Sequence, residues 1–115
     1  MNILFLEGDM SRRGGTERMT AWLSSMLVRN HTVSVISLHL NNSDVFFPLA
    51  ENVHHSVLQA EKTVAQIQEI RRFIRQNSID MVINVDTGMG YIGILAAMGT
   101  DARVITWGHA NFFNN

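Results

Sequence analysis

Short runs of β-branched and apolar residues, alternating with stretches of helical periodicity, constrain this chain more than any other feature of its sequence. The run Asn2–Glu7 (NILFLE) is almost continuously apolar and ends at Gly8, the form of a strand buried on both faces. From Thr16 to Val28, the residues Met19, Trp22, Leu23, Met26 and Leu27 recur at helical spacing and are expected to face the core. Thr32–Leu38 (TVSVISL) predicts a second strand, entered through a turn at Asn30-His31, and Val53–Leu58 a third, weaker one. The clearest helix covers Glu61–Gln76, with Val64, Ile67, Ile70, Phe73 and Ile74 along one face. Its Glu61 near the start and Arg72 and Arg75 near the end suit the helix dipole. Met81–Val85 (MVINV) predicts a fourth strand, and Asp86-Thr87-Gly88 then turns into a short apolar helix over Met89–Met98, closed by Gly99. Arg103–Trp107 (RVITW) is a fifth, buried strand, left at Gly108-His109.

This alternation implies an α/β fold: a Rossmann-like parallel sheet of about five strands, order 3-2-1-4-5, with right-handed crossovers and flanking helices. The 115 residues fill one domain and not two. The chain stops soon after its fifth strand, at Phe112-Phe113, where a native domain rarely ends, so residues 1–115 are expected to be one partial domain.

Composition excludes several function classes. With 46% apolar and 17% charged residues, the chain is ordinary globular protein. A net charge of -1 without a clustered basic face argues against a nucleic-acid partner, and Arg12-Arg13 and Arg71, Arg72 and Arg75 read as solvated surface. The absence of cysteine removes disulfides, thiolate metal sites and thiol nucleophiles. No segment reaches the ~20 apolar residues that a membrane span needs, and Met1–Leu6 lacks a basic leader and cleavage site. A cytoplasmic location is expected.

Ligands of open parallel sheets bind outside the carboxyl ends of the strands, where strand order reverses. The segments there are Glu7–Gly15, Asp86–Gly90 and Gly108-His109, with His39 on the same rim. Gly14-Gly15 before a helix either lets backbone amides approach an anion such as phosphate or only makes a tight turn, and Thr16 is placed to cap a helix beginning at Glu17. The dinucleotide fingerprint G-x-G-x-x-G is absent. The P-loop pattern also fails, because Gly8 and Gly14 are one residue too far apart and no lysine follows. No cofactor is implied. The five histidines form no metal-ligand pattern: His54 and His55 point to opposite faces of a strand, and His31 sits in a turn. His109 is either a structural hydrogen bonder or a functional group on the rim, and Asp86 either a turn former or a ligand. Trp22 and Trp107 read as core.

Taken together, Asn2-Ile-Leu-Phe-Leu, Gly14-Gly15-Thr16-Glu17-Arg18, Met81-Val-Ile-Asn-Val with Asp86-Thr87, and Val104-Ile-Thr-Trp-Gly-His109 resemble the N-terminal domain of family-four glycosyltransferases. These are retaining, two-domain GT-B enzymes of lipopolysaccharide, capsule and polysaccharide synthesis. The resemblance covers essentially the whole chain, with G-G-T-E-R its most specific part. It implies an acceptor-side domain facing a second domain that holds a nucleotide-sugar donor, with a saccharide or lipid-linked acceptor. It also implies that Gly14, Gly15 and Thr16 lie against the donor phosphates or the acceptor, that Asp86 lines the same cleft, and that His109 is catalytic beside the transferred sugar. No metal is required, because fixed amides and helix N-termini can stabilise a departing diphosphate.

Two departures stand out. Gly108 replaces the glutamate that relatives often carry before the histidine, and the donor-binding E-x(7)-E signature is absent. The fragment alone is therefore expected to be inactive, and its parent to contact the inner face of the membrane peripherally. Two other readings share the sheet. A phospho-acceptor receiver would use Glu7, Asp9 and Asp86, but the sole lysine, Lys62, is misplaced for it. An interaction fragment would self-associate through an unfinished sheet edge.

Overall fold

The computed structural model describes residues 1–11, 14–40, 48–85 and 90–106. Among them a parallel sheet contains β1 (Asn2–Glu7), β2 (Thr32–Ser37), β3 (His54–Val57), β4 (Met81–Asn84) and β5 (Arg103–Thr106), in the order β3-β2-β1-β4-β5. The expected Rossmann-like α/β order is thus the one observed. β1 is central: Ile3 pairs with Val33 on one side and with Met81 on the other.

Alternation along β1 sends its side chains into two separate cores. Ile3 and Phe5 pack with Val33, Val35 and Ile83 on one face. Leu4 and Leu6 pack with Ile36 and Val82 on the other. Helix α1 (Gly15–Leu27) covers the first face through Leu23 and Leu27. Helices α2 (Thr63–Gln76) and α3 (Gly90–Ala97) cover the second through Ile70, Ile74, Ile92 and Ala96. This two-sided burial is why the strands read as nearly continuous apolar runs.

Polar groups fix the joints between these elements. Asp80, just before β4, accepts from the Asn2 amide at 2.8 Å and donates its own amide to the Asn2 carbonyl at 2.8 Å. Arg71 donates to the carbonyls of Leu95 at 2.6 Å and Ala96 at 3.3 Å in the last turn of α3, where carbonyls run out of helical partners. It is therefore a cross-helix cap and not simply solvated surface. Gly99 follows in the left-handed region at φ 78°, where a side chain would be strained.

The structure corrects four expectations. Trp22 and Met26 are 57% and 43% exposed, whereas Glu17, Thr20, Ala21 and Ser24 form the buried side of α1. The cause is the polar end of β1: Glu7 is buried there and needs a hydroxyl partner, so small polar residues turn inward. Val64 likewise points outward, and Gln66 is buried in the first turns of α2, donating to the Ala60 carbonyl at 3.2 Å. Glu61 precedes α2, which begins at Thr63. Finally, β5 is not a buried strand. It is an edge strand with Ile105 48% exposed, because no described strand lies beyond it. Trp107, read as core, lies outside the described residues.

Candidate ligand crevice at the switch point

The chain winds from β1 to β2 and β3 on one side of the sheet, then returns to β4 and β5 on the other. The carboxyl ends of β1 and β4 therefore flank the switch point, where the outward connections diverge and leave a crevice. Backbone bonds hold its floor: Val85 donates to the Leu6 carbonyl at 3.0 Å, Leu38 to Glu7 at 3.0 Å and His39 to Gly8 at 3.2 Å.

Three carboxylates lie beneath the rim, all at most 2% exposed: Glu7, Asp9 and Glu17. The Thr20 hydroxyl lies 2.8 Å from Glu7 Oε2 and 2.9 Å from the Thr16 carbonyl. Asp9 Oδ1 accepts from both the amide and the hydroxyl of Ser11, closing the loop on itself as a local turn. Its other oxygen is 3.9 Å from Nε2 of His39. Glu17 Oε1 accepts from the Gly14 amide at 2.8 Å, and Oε2 from the Thr16 hydroxyl at 2.6 Å.

This geometry revises two readings of the glycine loop. Helix α1 begins at Gly15, with Gly14 as its N-cap, so Thr16 sits in the first turn and caps nothing. Glu17 at the third helical position does that work by reaching back to the Gly14 amide, half of a capping box. One amide of the expected anion cradle is thus already occupied by a carboxylate of the same chain. A Cβ at Gly14 would lie 2.5 Å from Glu17 Oε1, so a side chain there would push the carboxylate off the amide it caps. Gly14 and Gly15 are exposed on the rim and Thr16 is half-buried beside them.

Across the crevice, the buried Asn84 ends β4, and its Nδ2 lies 3.5 Å from the Thr106 hydroxyl on β5. Helix α3 passes directly over this side chain. A Cβ on Gly93 would stand 2.0 Å from Asn84 Oδ1, so glycine is what permits the approach. Beyond the rim an apolar groove opens along α1, lined by Gly15, Arg18, Met19 and Trp22. No group of three His, Asp or Glu among the described residues is arranged to hold a metal ion.

The apo form of the lipopolysaccharide outer core galactosyltransferase WaaB superposes on this chain with a TM-score of 0.72 at 14% identity, covering 93% of this chain and 33% of that one. The two share a Rossmann-like α/β fold. The chain spans about a third of that protein's length. No family model and no curated protein matches the sequence.

Of the residues singled out from sequence, Gly14, Gly15 and Thr16 stand together at the crevice, while Asp86 and His109 lie outside the described residues. Glu17 and Asn84 were not anticipated as site residues. A glutamate three positions after a capping Gly14 is the signal for the first. For Asn84 the signal is a lone amide closing an otherwise apolar strand, where a polar group must find a partner.

Proposed function

We propose that this chain is the acceptor-side domain of a retaining, family-four GT-B glycosyltransferase. The observation that carries this reading is the match of nearly the whole chain to one third of a galactosyltransferase, with the G-G-T-E-R segment at the switch-point rim. In the complete enzyme a second domain holds a nucleotide-sugar donor across the cleft. The acceptor, a saccharide or lipid-linked glycan in polysaccharide or lipopolysaccharide synthesis, meets Gly14, Gly15 and Thr16. His109 contacts the transferred sugar, and Asp86 lines the same cleft. Glu17 takes the Gly14 amide, which favours acceptor contact over phosphate contact for this loop.

The outer face of α3 supports a unit made to adjoin further structure. Tyr91, Ile94, Leu95 and Met98 form an exposed apolar stripe at helical spacing beside the open edge of β5. Alone, the chain is expected to transfer no sugar, to bind donor poorly and to self-associate through this face at high concentration. An enzyme of this kind works in the cytoplasm at the inner membrane face.

Amide NMR of the isotope-labelled chain tests the assignment. Saccharide acceptors should move the Gly14, Gly15 and Thr16 signals at millimolar concentration, with UDP-sugars moving them far less. Saccharides that shift only remote surface residues, or UDP-sugars that bind this rim in preference, would overturn it.

A further inference from the structure

The face of a parallel sheet that lies under its helices is ordinarily apolar, because both sides of each strand are buried. On the α2 side this holds toward the carboxyl ends of the strands, where Leu4, Leu6 and Ile36 lie in the core. It fails at the amino ends. Alternation and register bring Asn2 of β1, Thr32 and Ser34 of β2, and His54 and Ser56 of β3 to that same face, side by side. A cavity of about 360 Å³ opens over them, bordered on its helix side by Phe73 and Asn77. A second, of about 410 Å³, continues it along β3 and shares Ser56 and Phe73 with it. Ser34 is only 8% exposed, and its hydroxyl has no hydrogen-bond partner among the described residues. The hydroxyls of Thr32 and Ser56 have none there either. Asn2 and Asn77 commit their Nδ2 groups to the carbonyls of Ser78 and Phe73, each at 3.0 Å, which leaves their Oδ1 atoms as acceptors. A buried hydroxyl without a partner is a cost that native folds rarely carry unless something else meets it.

We propose that this groove binds a neutral saccharide of one or two residues. Its chemistry selects the class. Hydroxyls that both donate and accept, beside amide oxygens that accept, match the neighbouring hydroxyls of a sugar ring. Phe73, half-buried where the two cavities meet, offers an aromatic face to the C–H side of a pyranose. Anions are disfavoured in the first cavity, which has no lysine or arginine in its lining and faces the last turn of α2, the negative end of the helix dipole. It has no carboxylate to hold a cation. The second cavity adds Arg72 and Glu69, of opposite charge, and Glu69 is held by the amides of Gln59 and Ala60. The inference stands apart from the transferase reading. Asn2 and Glu7 are at opposite ends of β1, roughly 17 Å apart by strand geometry, so this groove is remote from the crevice at Gly14, Gly15 and Thr16.

Amide NMR of the 115-residue chain with maltose, lactose and cellobiose tests this, against inorganic phosphate and glycerol. At least one disaccharide should move the His54, Ser56, Phe73 and Asn77 signals with a millimolar Kd, and phosphate should move none of them. Glycerol, which has no ring to cover Phe73, should bind at least about tenfold more weakly. Ser34→Ala should weaken disaccharide binding about fivefold, for one lost hydrogen bond, without lowering the thermal midpoint. A hydroxyl that served only the fold would lower it. Ser56→Ala, at an exposed position on β3, should weaken binding by roughly threefold. Disaccharides that leave these four signals unmoved, phosphate that moves them as strongly, or binding unchanged in both variants would overturn the proposal. Shifts confined to Gly14, Gly15 and Thr16 would overturn it and leave the crevice reading intact, and shifts confined to this groove would do the reverse.

Discussion

The hydroxyl of Thr20, in the second turn of α1, lies 2.8 Å from Oε2 of Glu7, the last residue of β1, and both residues are buried. A carboxylate in that position requires a hydrogen-bonding neighbour, and α1 supplies one only because it presents Thr20 inward. Thr20→Val keeps the shape and removes the donor. It should destabilise the chain by about 1–3 kcal/mol, the range for leaving a buried polar group without its partner. Urea unfolding followed by circular dichroism would measure this, and an unmoved midpoint would show that Thr20 contributes nothing to holding Glu7.

Glu17 should govern the local order of the glycine loop more than global stability. Glu17→Ala frees the Gly14 amide and the Thr16 hydroxyl and should cost about 0.5–2 kcal/mol, the range for loss of a helix cap. Faster hydrogen exchange at Gly14, with the β1 amides still protected, is the expected signature. Equal acceleration throughout would mean that Glu17 supports the whole domain.

Gly93 and Asn84 form a steric pair, with a hypothetical Cβ only 2.0 Å from the amide oxygen. Gly93→Ala should destabilise by ~1–3 kcal/mol through overpacking, despite the better helix propensity of alanine. Combining it with Asn84→Ala should recover part of that loss, giving a coupling energy of about 1 kcal/mol or more in a double-mutant cycle. Strict additivity would show that α3 relaxes away from β4 without strain.

Trp22 offers the opposite test. Trp22→Ser should change stability by no more than ~0.5 kcal/mol, as at other exposed positions. Phe5→Ala, at a fully buried site, should cost ~3–5 kcal/mol. A large effect at Trp22 in the thermal melt would place that side chain in a core.

The sheet was legible because β1, β2 and β4 are buried on both faces and written almost entirely in apolar and β-branched residues. The parallel sheet followed from the alternation of strands and helices, and its order from the Rossmann-like pattern as a whole. The orientation of α1 was not legible. Met19, Trp22 and Met26 form an apolar periodicity stronger than that of Thr20, Ala21 and Ser24, and tertiary contacts, Thr20 to Glu7 among them, set the opposite face inward. The cap was misplaced by two residues because threonine is the better intrinsic N-cap. Here a glutamate side chain substitutes for a capping hydroxyl and moves the helix start back to Gly15. The exposure of β5 also escaped the sequence, since RVIT has strand character whether or not a neighbour covers it.

The central place of β1 sets a timetable for synthesis. Its first residues leave the ribosome before the other four described strands, yet Asn2 waits for Asp80, and Ile3 for Met81, before its second side is paired. At ordinary elongation rates that wait lasts roughly 4–16 s. During it the most apolar strand of the protein has β2 on one flank and an unpaired backbone on the other. A nascent chain of this topology exposes its eventual centre until α2 is complete, making the interval before β4 emerges the point of greatest dependence on holding chaperones.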